Sequence, residues 1–415
     1  MSKHYLCCTD LLCNSSCQFY RYLELLRSEL KKKNYRCSTI QCYSRCTEHF
    51  FYWSNSPENK LAVINESTIE RFFEHLSNCS CWYRAPIHCI SIRAALNWLL
   101  KVLRKHKEIP AKFIPASHVD NEVRLFKDYL TKVCGVSKDT LIYRLRYAKE
   151  FLTAIYGENE VDPNILDPYI VLDYVSSRVK NCSRGTAKVI TVSLRSYFKF
   201  LNLFKRIKSN LAGALPVIPI WKLSSLPNVL STEDIEKVLS SFDRSSKSGM
   251  RDYAITLCFA ELGLRTCEIS ELSIDDINWK TSHVVVHAQK SRRERTLPLL
   301  SRTGEAIAAY LYEGRPTSDF RKLFLRHRGA LGSPVSRPIV RGVVRRRFEK
   351  LFLSSNFTPH MFRHSLAGKL LKNGSNIKQI ADILGHKTIE TTMIYTKIDL
   401  QQLSKVTMKW LEVAK

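Results

Sequence analysis

Leu23, Leu26 and Leu30 recur at the three- and four-residue steps that place side chains on one face of a helix. The same step returns a hundred residues later at Val123, Phe126 and Leu130. Each stripe opens a run of helices. After the first come a segment from Thr39-Ile40 to the aromatic run Phe50-Phe51-Tyr52-Trp53, a helix from Ile69 to Leu76, and an apolar, basic helix from Ile92 to Leu103. After the second come Thr140-Leu141 to Phe151-Leu152, Ile170 to Val175, and Val192 to Leu203. The pattern predicts two copies of one helical unit, from about Tyr20 to Arg104 and from about Glu122 to Lys205. Pro110 and Pro115 mark a linker at Ile109 to Ser117, and Pro216, Pro219 and Pro227 mark another at Gly213 to Pro227.

Beyond the second linker Ser231 is placed to cap a helix, with Asp234 three residues later. Helical periodicity dominates from there, but His283 to His287 and Arg295 to Leu299 read as two short strands of a hairpin. The final expectation is a helix from Asp399 to about Val413, with Leu403, Val406 and Trp410 on one stripe. The fold class is therefore mainly α with a small β-sheet: helical domains at 1–113 and 118–210, a linker at 211–229, and a mixed α+β domain at 230–415.

Charge narrows the partner. Lys and Arg number 65 against 38 Asp and Glu, a net charge of +27 spread along the whole chain. Such an excess repels itself unless an anionic partner is present, either nucleic acid or an acidic membrane surface. No apolar run reaches the roughly 18 residues of a membrane span, and the N-terminus lacks a signal-peptide pattern, so a cytoplasmic protein without membrane attachment is expected. The 14 cysteines crowd toward the N-terminus. Cys13 and Cys17, and Cys42 and Cys46, approach metal-ligand spacing, but the second pair falls inside an amphipathic helix and no tight Cys-x-x-Cys pair occurs. The expectation is buried free thiols and no metal site.

Four short stretches carry candidate chemistry. Arg265 lies in Glu261-Leu-Gly-Leu-Arg-Thr-Cys-Glu268, where Glu268 can orient it from three residues away. Lys290 occupies the turn between the two strands, an exposed place from which to reach a ligand. In Thr358-Pro359-His360-Met361-Phe362-Arg363-His364, Thr358 reads as an N-cap and Pro359 as the first helical residue. His360 and Arg363 then stand side by side at a helix N-terminus, where the macrodipole and unpaired N–H groups favour an anion. Finally, Ile377, Ile380, Ala381 and Leu384 form a stripe that Gly385 stops, followed by His386 and, nine residues on, Tyr395. Thr388 is placed to cap a short helix from Ile389 to Tyr395.

In this order, Arg…Lys…His-x-x-Arg…Leu-Gly-His…Tyr resembles the active site of the tyrosine recombinase (phage-integrase) family, over about Val119 to Trp410. The Glu after the first Arg, the Arg-x-x-Pro-Leu strand after the Lys and the Thr-x-x-Tyr ending are similar too. Gln289 and Ser291 depart from the glycines that often flank the lysine. The resemblance implies a helical, SAM-like core-binding domain before the catalytic domain, with residues 1–113 as a second unit of that kind. It implies catalytic roles for Arg265, Lys290, His360, Arg363, His386 and Tyr395. Tyr395 would attack a phosphodiester and form a 3′-phosphotyrosine. Arg265, Arg363, His360 and His386 would stabilise the phosphorane, His360 could take the tyrosine proton, and Lys290 would protonate the leaving 5′-oxygen. The ester keeps the bond energy, so neither ATP, metal nor any other cofactor is implied. Implied partners are double-stranded DNA, a homo-tetramer on two DNA sites with the last helix exchanged in trans, and accessory DNA-bending proteins or sister recombinases. Arg292, Arg293 and the run Arg345-Arg346-Arg347 are possible DNA contacts, the run reading equally as a solvated helix face. Two other readings stay open: a type IB topoisomerase-like relaxing enzyme, and a catalytically inactive site-specific DNA-binding protein.

Overall fold

The computed structural model describes residues 18–54, 64–79, 89–110, 117–219, 228–287, 294–352, 357–386 and 388–398. The first leucine stripe lies on α1 (Gln18–Lys32), with Leu23, Leu26 and Leu30 all buried. It packs with α2 (Cys37–Ser54), α3 (Glu66–Ser77) and α4 (Cys89–Lys105) around Phe50, Phe51, Phe72, Leu96 and Leu99. The second stripe lies on α5 (His118–Lys132), followed by α6 (Lys138–Tyr156), α7 (Pro168–Val179) and α8 (Arg184–Leu203) around Phe126, Phe151, Leu194, Tyr197 and Phe198. The two sets run 15, 18, 12, 17 and 15, 19, 12, 20 residues, the same plan in the same order.

The helix starts differ from the sequence reading because caps lie upstream of the apolar periodicity. Ser137 caps α6, which starts at Lys138, two residues before the expected start, and Ser183 caps α8, whose buried face already begins at Ala187 and Ile190 while Val192 is exposed. Gly213, expected in a linker, sits inside a short helix, α9 (Leu211–Ala214), and Leu211 and Leu215 are buried against the second core. A buried carboxylate, Glu122, is held by Arg206 at 2.7 and 2.9 Å and by Tyr197 at 3.0 Å. A charge buried at that depth is tolerable only with such partners.

The chain divides into two compact units, Lys112–Ser224 and a second that joins Met1–Ala111 with Ser225–Lys415. Within the latter, Arg36 donates to the His327 carbonyl at 2.9 Å, and Leu331 N donates to the Asn34 carbonyl at 2.9 Å. Its C-terminal part holds α10 (Thr232–Ser240), capped by Ser231 as expected, α11 (Lys247–Ala260) and α12 (Thr266–Glu271). A three-stranded antiparallel sheet follows: β1 (Ile277–Asn278), β2 (His283–His287) and β3 (Glu294–Pro298). The hairpin strands were legible as a burial alternation, with Val284 and Val286 inward; β1, two residues long, has no period to read. Then come α13 (Ser301–Ala309), α14 (Arg337–Phe352), α15 (His360–Lys372) and α16 (Ile377–Leu384), and 3-10 turns at Ile389–Thr391 and Met393–Ile398. Phe259, Leu262, Ile269, Phe324 and Phe362 fill the core beneath. Burying each such aromatic contributes about 2–3 kcal/mol. Among the described residues no helix is long and apolar enough to cross a membrane.

Candidate active site

The end of α16 organises the site. A helix C-terminus leaves its last carbonyls without intrahelical donors, at the negative pole of the macrodipole. Here three of them are taken by three different arginines. Arg295, from β3, donates through Nε to the Ile383 carbonyl at 2.9 Å. Arg363, from the first turn of α15, donates through Nη2 to the Leu384 carbonyl and through Nη1 to the Gly263 carbonyl, the latter at 2.5 Å. Arg265, the residue before α12, donates through Nη2 to the Gly385 carbonyl at 3.0 Å. Gly385 holds a left-handed φ of 60°, and a Cβ there would lie 2.7 Å from Arg295 Nη1, so the turn that exposes these carbonyls requires glycine. Gly263 has φ 59°, and its Cβ would meet Leu366 Cδ2 at 2.8 Å.

Glu268 lies beneath the cluster, only 4% exposed. It accepts from Arg265 Nη1 at 2.9 Å, from the Arg265 backbone N at 2.8 Å, and from Arg295 at 3.0 and 2.8 Å. Burial alone would raise its pKa, but the bonds and charges from Arg295 and Arg265 outweigh that and hold it at about 2. Three guanidiniums thus face one carboxylate among the described residues here, and the pocket keeps an excess of positive charge.

Tyr395 sits on the last 3-10 turn and is 2% exposed. Its hydroxyl shares a 3.0 Å hydrogen bond with His364 Nδ1, and its ring stacks at 15° to His386, centroids 6.3 Å apart. His386 is steadied by a 2.7 Å bond between Nδ1 and Thr392 Oγ1. His360 is exposed at the rim, 6.3 Å from His364 ring to ring. Burial raises the Tyr395 pKa, with Arg363 and Arg265 opposing it. Burial and then neighbouring charges lower the histidines: His364 to about 4, with His360 and Arg363 adding, and His386 to about 3, with Arg363 and Arg265 adding. His360, whose residue surface is open at the rim, is also lowered, first by desolvation of its imidazole and then by the Arg363 and Arg265 charges. Burial and the Arg265 charge also bring Arg363 down to about 9. A cluster this electropositive, with neutral imidazoles and a protonated phenol, has the charge and the N–H donors that suit a phosphate.

Five of the six residues expected to be catalytic converge: Arg265, His360, Arg363, His386 and Tyr395. Lys290, with Arg292 and Arg293, lies outside the described residues; the strand ends that flank its turn are clasped by His287, which bonds Glu294 at 2.8 Å and Asp276 at 3.1 Å. The residue bonded to the Tyr395 hydroxyl is His364, not His360, because the α15 turn carries residue 364 toward the 3-10 segment. His364 adjoins the His-x-x-Arg motif but was not singled out. Arg295, one of the residues of the Arg-x-x-Pro-Leu strand, was not expected to bind Glu268. Thr358 does not cap α15: the cap position is Pro359, no side-chain cap bond forms, and His360 is the first helical residue. Thr388 gives no side-chain cap either, and Ile389 to Tyr395 folds as 3-10 turns rather than as an α-helix. Of the basic run, Arg345 pairs with Glu349 at 2.6 Å, Arg347 stacks on Phe242 at 4.9 Å, and Arg346 is exposed.

The depressed histidines fix a pH response. Folded His327 and His364 take up protons only near pH 4 and His386 near 3, whereas the unfolded chain does so near 6.5. The unfolded state therefore binds more protons below about 6.5, and stability falls as pH falls from there toward 4. A melting temperature unchanged between pH 7 and pH 5 would contradict this assignment.

Residues 228–402 match the model of the phage integrase family. The chain is 34% identical over 322 residues to the integrase/recombinase y4rA of Sinorhizobium fredii, covering 76% of this chain and 78% of that protein. It is 30% identical over 303 residues to the tyrosine recombinase XerD of Listeria monocytogenes, covering 68% of this chain and 95% of that protein. Among solved structures, a lambda integrase dimer bound to a COC′ core site matches 65% of this chain and 95% of its own, at TM-score 0.53 and 16% identity. The Tn1549 transposon integrase in complex with a circular intermediate DNA matches 68% and 99%, at TM-score 0.51 and 18% identity. These two carry the fold; the curated relatives and the matched domain carry the family. The chain belongs to the phage integrase family of tyrosine recombinases, and it is a site-specific DNA recombinase.

Proposed function

We propose that Tyr395 is the nucleophile of this recombinase and that Arg265, His360, Arg363 and His386 bind the scissile phosphate it attacks. The observation that carries this reading is the Tyr395 hydroxyl, bonded to a neutral imidazole beside guanidiniums locked to the end of α16. Arg265 and Arg363, each fixed by two protein acceptors, turn their remaining guanidinium N–H groups to the non-bridging oxygens, where the phosphorane gathers charge. Because α16 and Glu268 hold these groups before DNA arrives, little reorganisation is needed at the moment of reaction. His364 accepts the phenolic proton as the Tyr395 oxygen attacks phosphorus. The 3′-side phosphate becomes a phosphotyrosine and the 5′-oxygen leaves with a proton from Lys290. Attack by the 5′-hydroxyl of another strand reverses the chemistry and exchanges strands, without ATP, metal or other cofactor.

The role of Lys290 has its own test. A substrate with sulfur at the 5′-bridging position leaves as a thiolate without an acid. Lys290→Ala is therefore expected to cut the ordinary phosphodiester at least about 100-fold more slowly and the sulfur-bridged one at nearly the native rate. Equal defects on both would move the acid elsewhere, to Arg292 or Arg293.

The working assembly is proposed as a homo-tetramer on two double-stranded sites, with accessory DNA-bending proteins or sister recombinases setting direction, and the protein acting in the cytoplasm. The expected C-terminal helix lies outside the described residues. A cavity of about 370 Å³ lined by Leu239, Leu262, Leu366, Leu370 and Ile383 offers an apolar seat for that helix from a neighbouring protomer. The function as a whole is tested by sequencing the DNA beside the gene for inverted repeats and incubating the full chain with nicked duplexes that carry them. Protein joined covalently to DNA is the expected product, and binding without any joined product would favour a DNA-binding protein that does not cut.

A further inference from the structure

The N-terminal helices hold a second cluster of chemically capable side chains. His49 on α2, His75 in the last turn of α3, and Cys79 just beyond that helix place one ligand atom each within 4.8 Å of one another. Cys79 Sγ and His49 Nε2 are 3.5 Å apart. Zinc holds nitrogen at about 2.0–2.1 Å and thiolate sulfur at about 2.3 Å, so two such ligands at a tetrahedral angle stand roughly 3.5 Å apart. A thiol–imidazole hydrogen bond has that length as well, but it needs only two groups, and here a third donor converges on them.

Three further features agree with a metal. His75-x-x-x-Cys79 is a ligand spacing of the kind zinc sites use at a helix end. The imidazoles are fixed by aromatic neighbours: His49 lies edge-on to Phe72 at 5.1 Å and His75 stacks on Trp53 at 5.7 Å. Burial lowers both histidines, His49 to about 4, so at neutral pH both are in the uncharged form that binds a cation. Two nitrogens and one sulfur suit zinc and exclude the hard, oxygen-seeking magnesium and calcium.

We infer that His49, His75 and Cys79 bind a zinc ion that fastens the end of α3 to α2. On binding, Cys79 releases its thiol proton to solvent and the sulfur ligates as thiolate, and one tetrahedral position remains for a further ligand. The site lies apart from the recombinase pocket and serves the N-terminal helices alone. It escaped the sequence reading because the cysteine pairs near metal spacing, Cys13 with Cys17 and Cys42 with Cys46, drew attention from two histidines that only the tertiary fold unites with Cys79.

The test uses the full-length protein, stripped with a chelator, offered zinc, freed of excess and assayed for metal by mass spectrometry. About one zinc per chain is expected, falling at least about tenfold in Cys79→Ser and in His75→Asn. Cys37→Ser, at an exposed cysteine on the same α2, is expected to keep the metal. Cobalt in place of zinc should give thiolate-to-metal charge-transfer bands that vanish in Cys79→Ser, and circular dichroism would confirm that both variants remain helical. Failure of the folded native protein to retain zinc would overturn the inference, as would a stoichiometry unchanged by Cys79→Ser.

Discussion

Tyr395→Phe is expected to bind its DNA site as tightly as the native chain and to leave no protein attached to it. The substitution removes one oxygen and keeps the ring that packs between His364 and His386. Its structural cost is the single hydrogen bond to His364, about 1 kcal/mol. Its chemical cost is the nucleophile, and loss of a nucleophile removes upward of about 10⁴-fold in rate. Binding measured by fluorescence anisotropy and cleavage measured by denaturing gel separate the two. A Phe variant that still formed the covalent product would transfer the nucleophile to another residue.

Arg363 carries the second large effect, and a lysine there is the informative replacement. Arg363 is 3% exposed, and its two terminal nitrogens are committed to the carbonyls of Gly263 and Leu384. Lysine keeps the charge but has no planar fork, so it cannot hold both carbonyls and also meet a phosphate oxygen. A carbonyl left buried without a donor costs about 1–3 kcal/mol. Single-turnover cleavage should fall by about 10²–10³-fold, as for other lost donors to a developing anion, while the salt dependence of DNA binding, set by charge, stays the same. Cleavage within tenfold of native would mean that charge alone suffices at this position.

Much of this site was legible because its parts are local. Gly385 stops α16 by the left-handed turn that a glycine after an apolar stripe signals, and Arg363 follows His360 by one helical turn. Glu268 beside Arg265 is likewise a three-residue relation, and the observed 2.9 Å bond repeats it. The order of the motif did the rest. What stayed hidden spans long separations: Arg295 reaching Ile383, Arg265 reaching Gly385, and Arg363 reaching Gly263. No periodicity records that three arginines share one helix end. The His364 bond to Tyr395 was missed for a different reason. The adjacent His360 fits the motif and drew the proton-accepting role, whereas only the path of the 3-10 segment decides which imidazole the phenol meets. The two expected caps fail for different reasons: at Thr358 the cap position falls to Pro359, which has no side-chain acceptor, whereas Thr388 has the extended backbone of a cap but its hydroxyl bonds the Thr391 hydroxyl at 3.2 Å rather than a backbone N–H.

The central claim is that the phenolic oxygen of Tyr395 becomes bonded to DNA, and peptide mapping of the trapped complex tests it most directly. The native chain would be incubated with a nicked site whose cleaved strand diffuses away, then digested with protease and nuclease, and the nucleotide-bearing peptide sequenced by mass spectrometry. The account predicts one modified peptide, spanning Thr388 to Lys397, with the nucleotide mass on Tyr395. A nucleotide carried by any other residue, or a trapped complex in which the Tyr395 peptide is recovered unmodified, would contradict it.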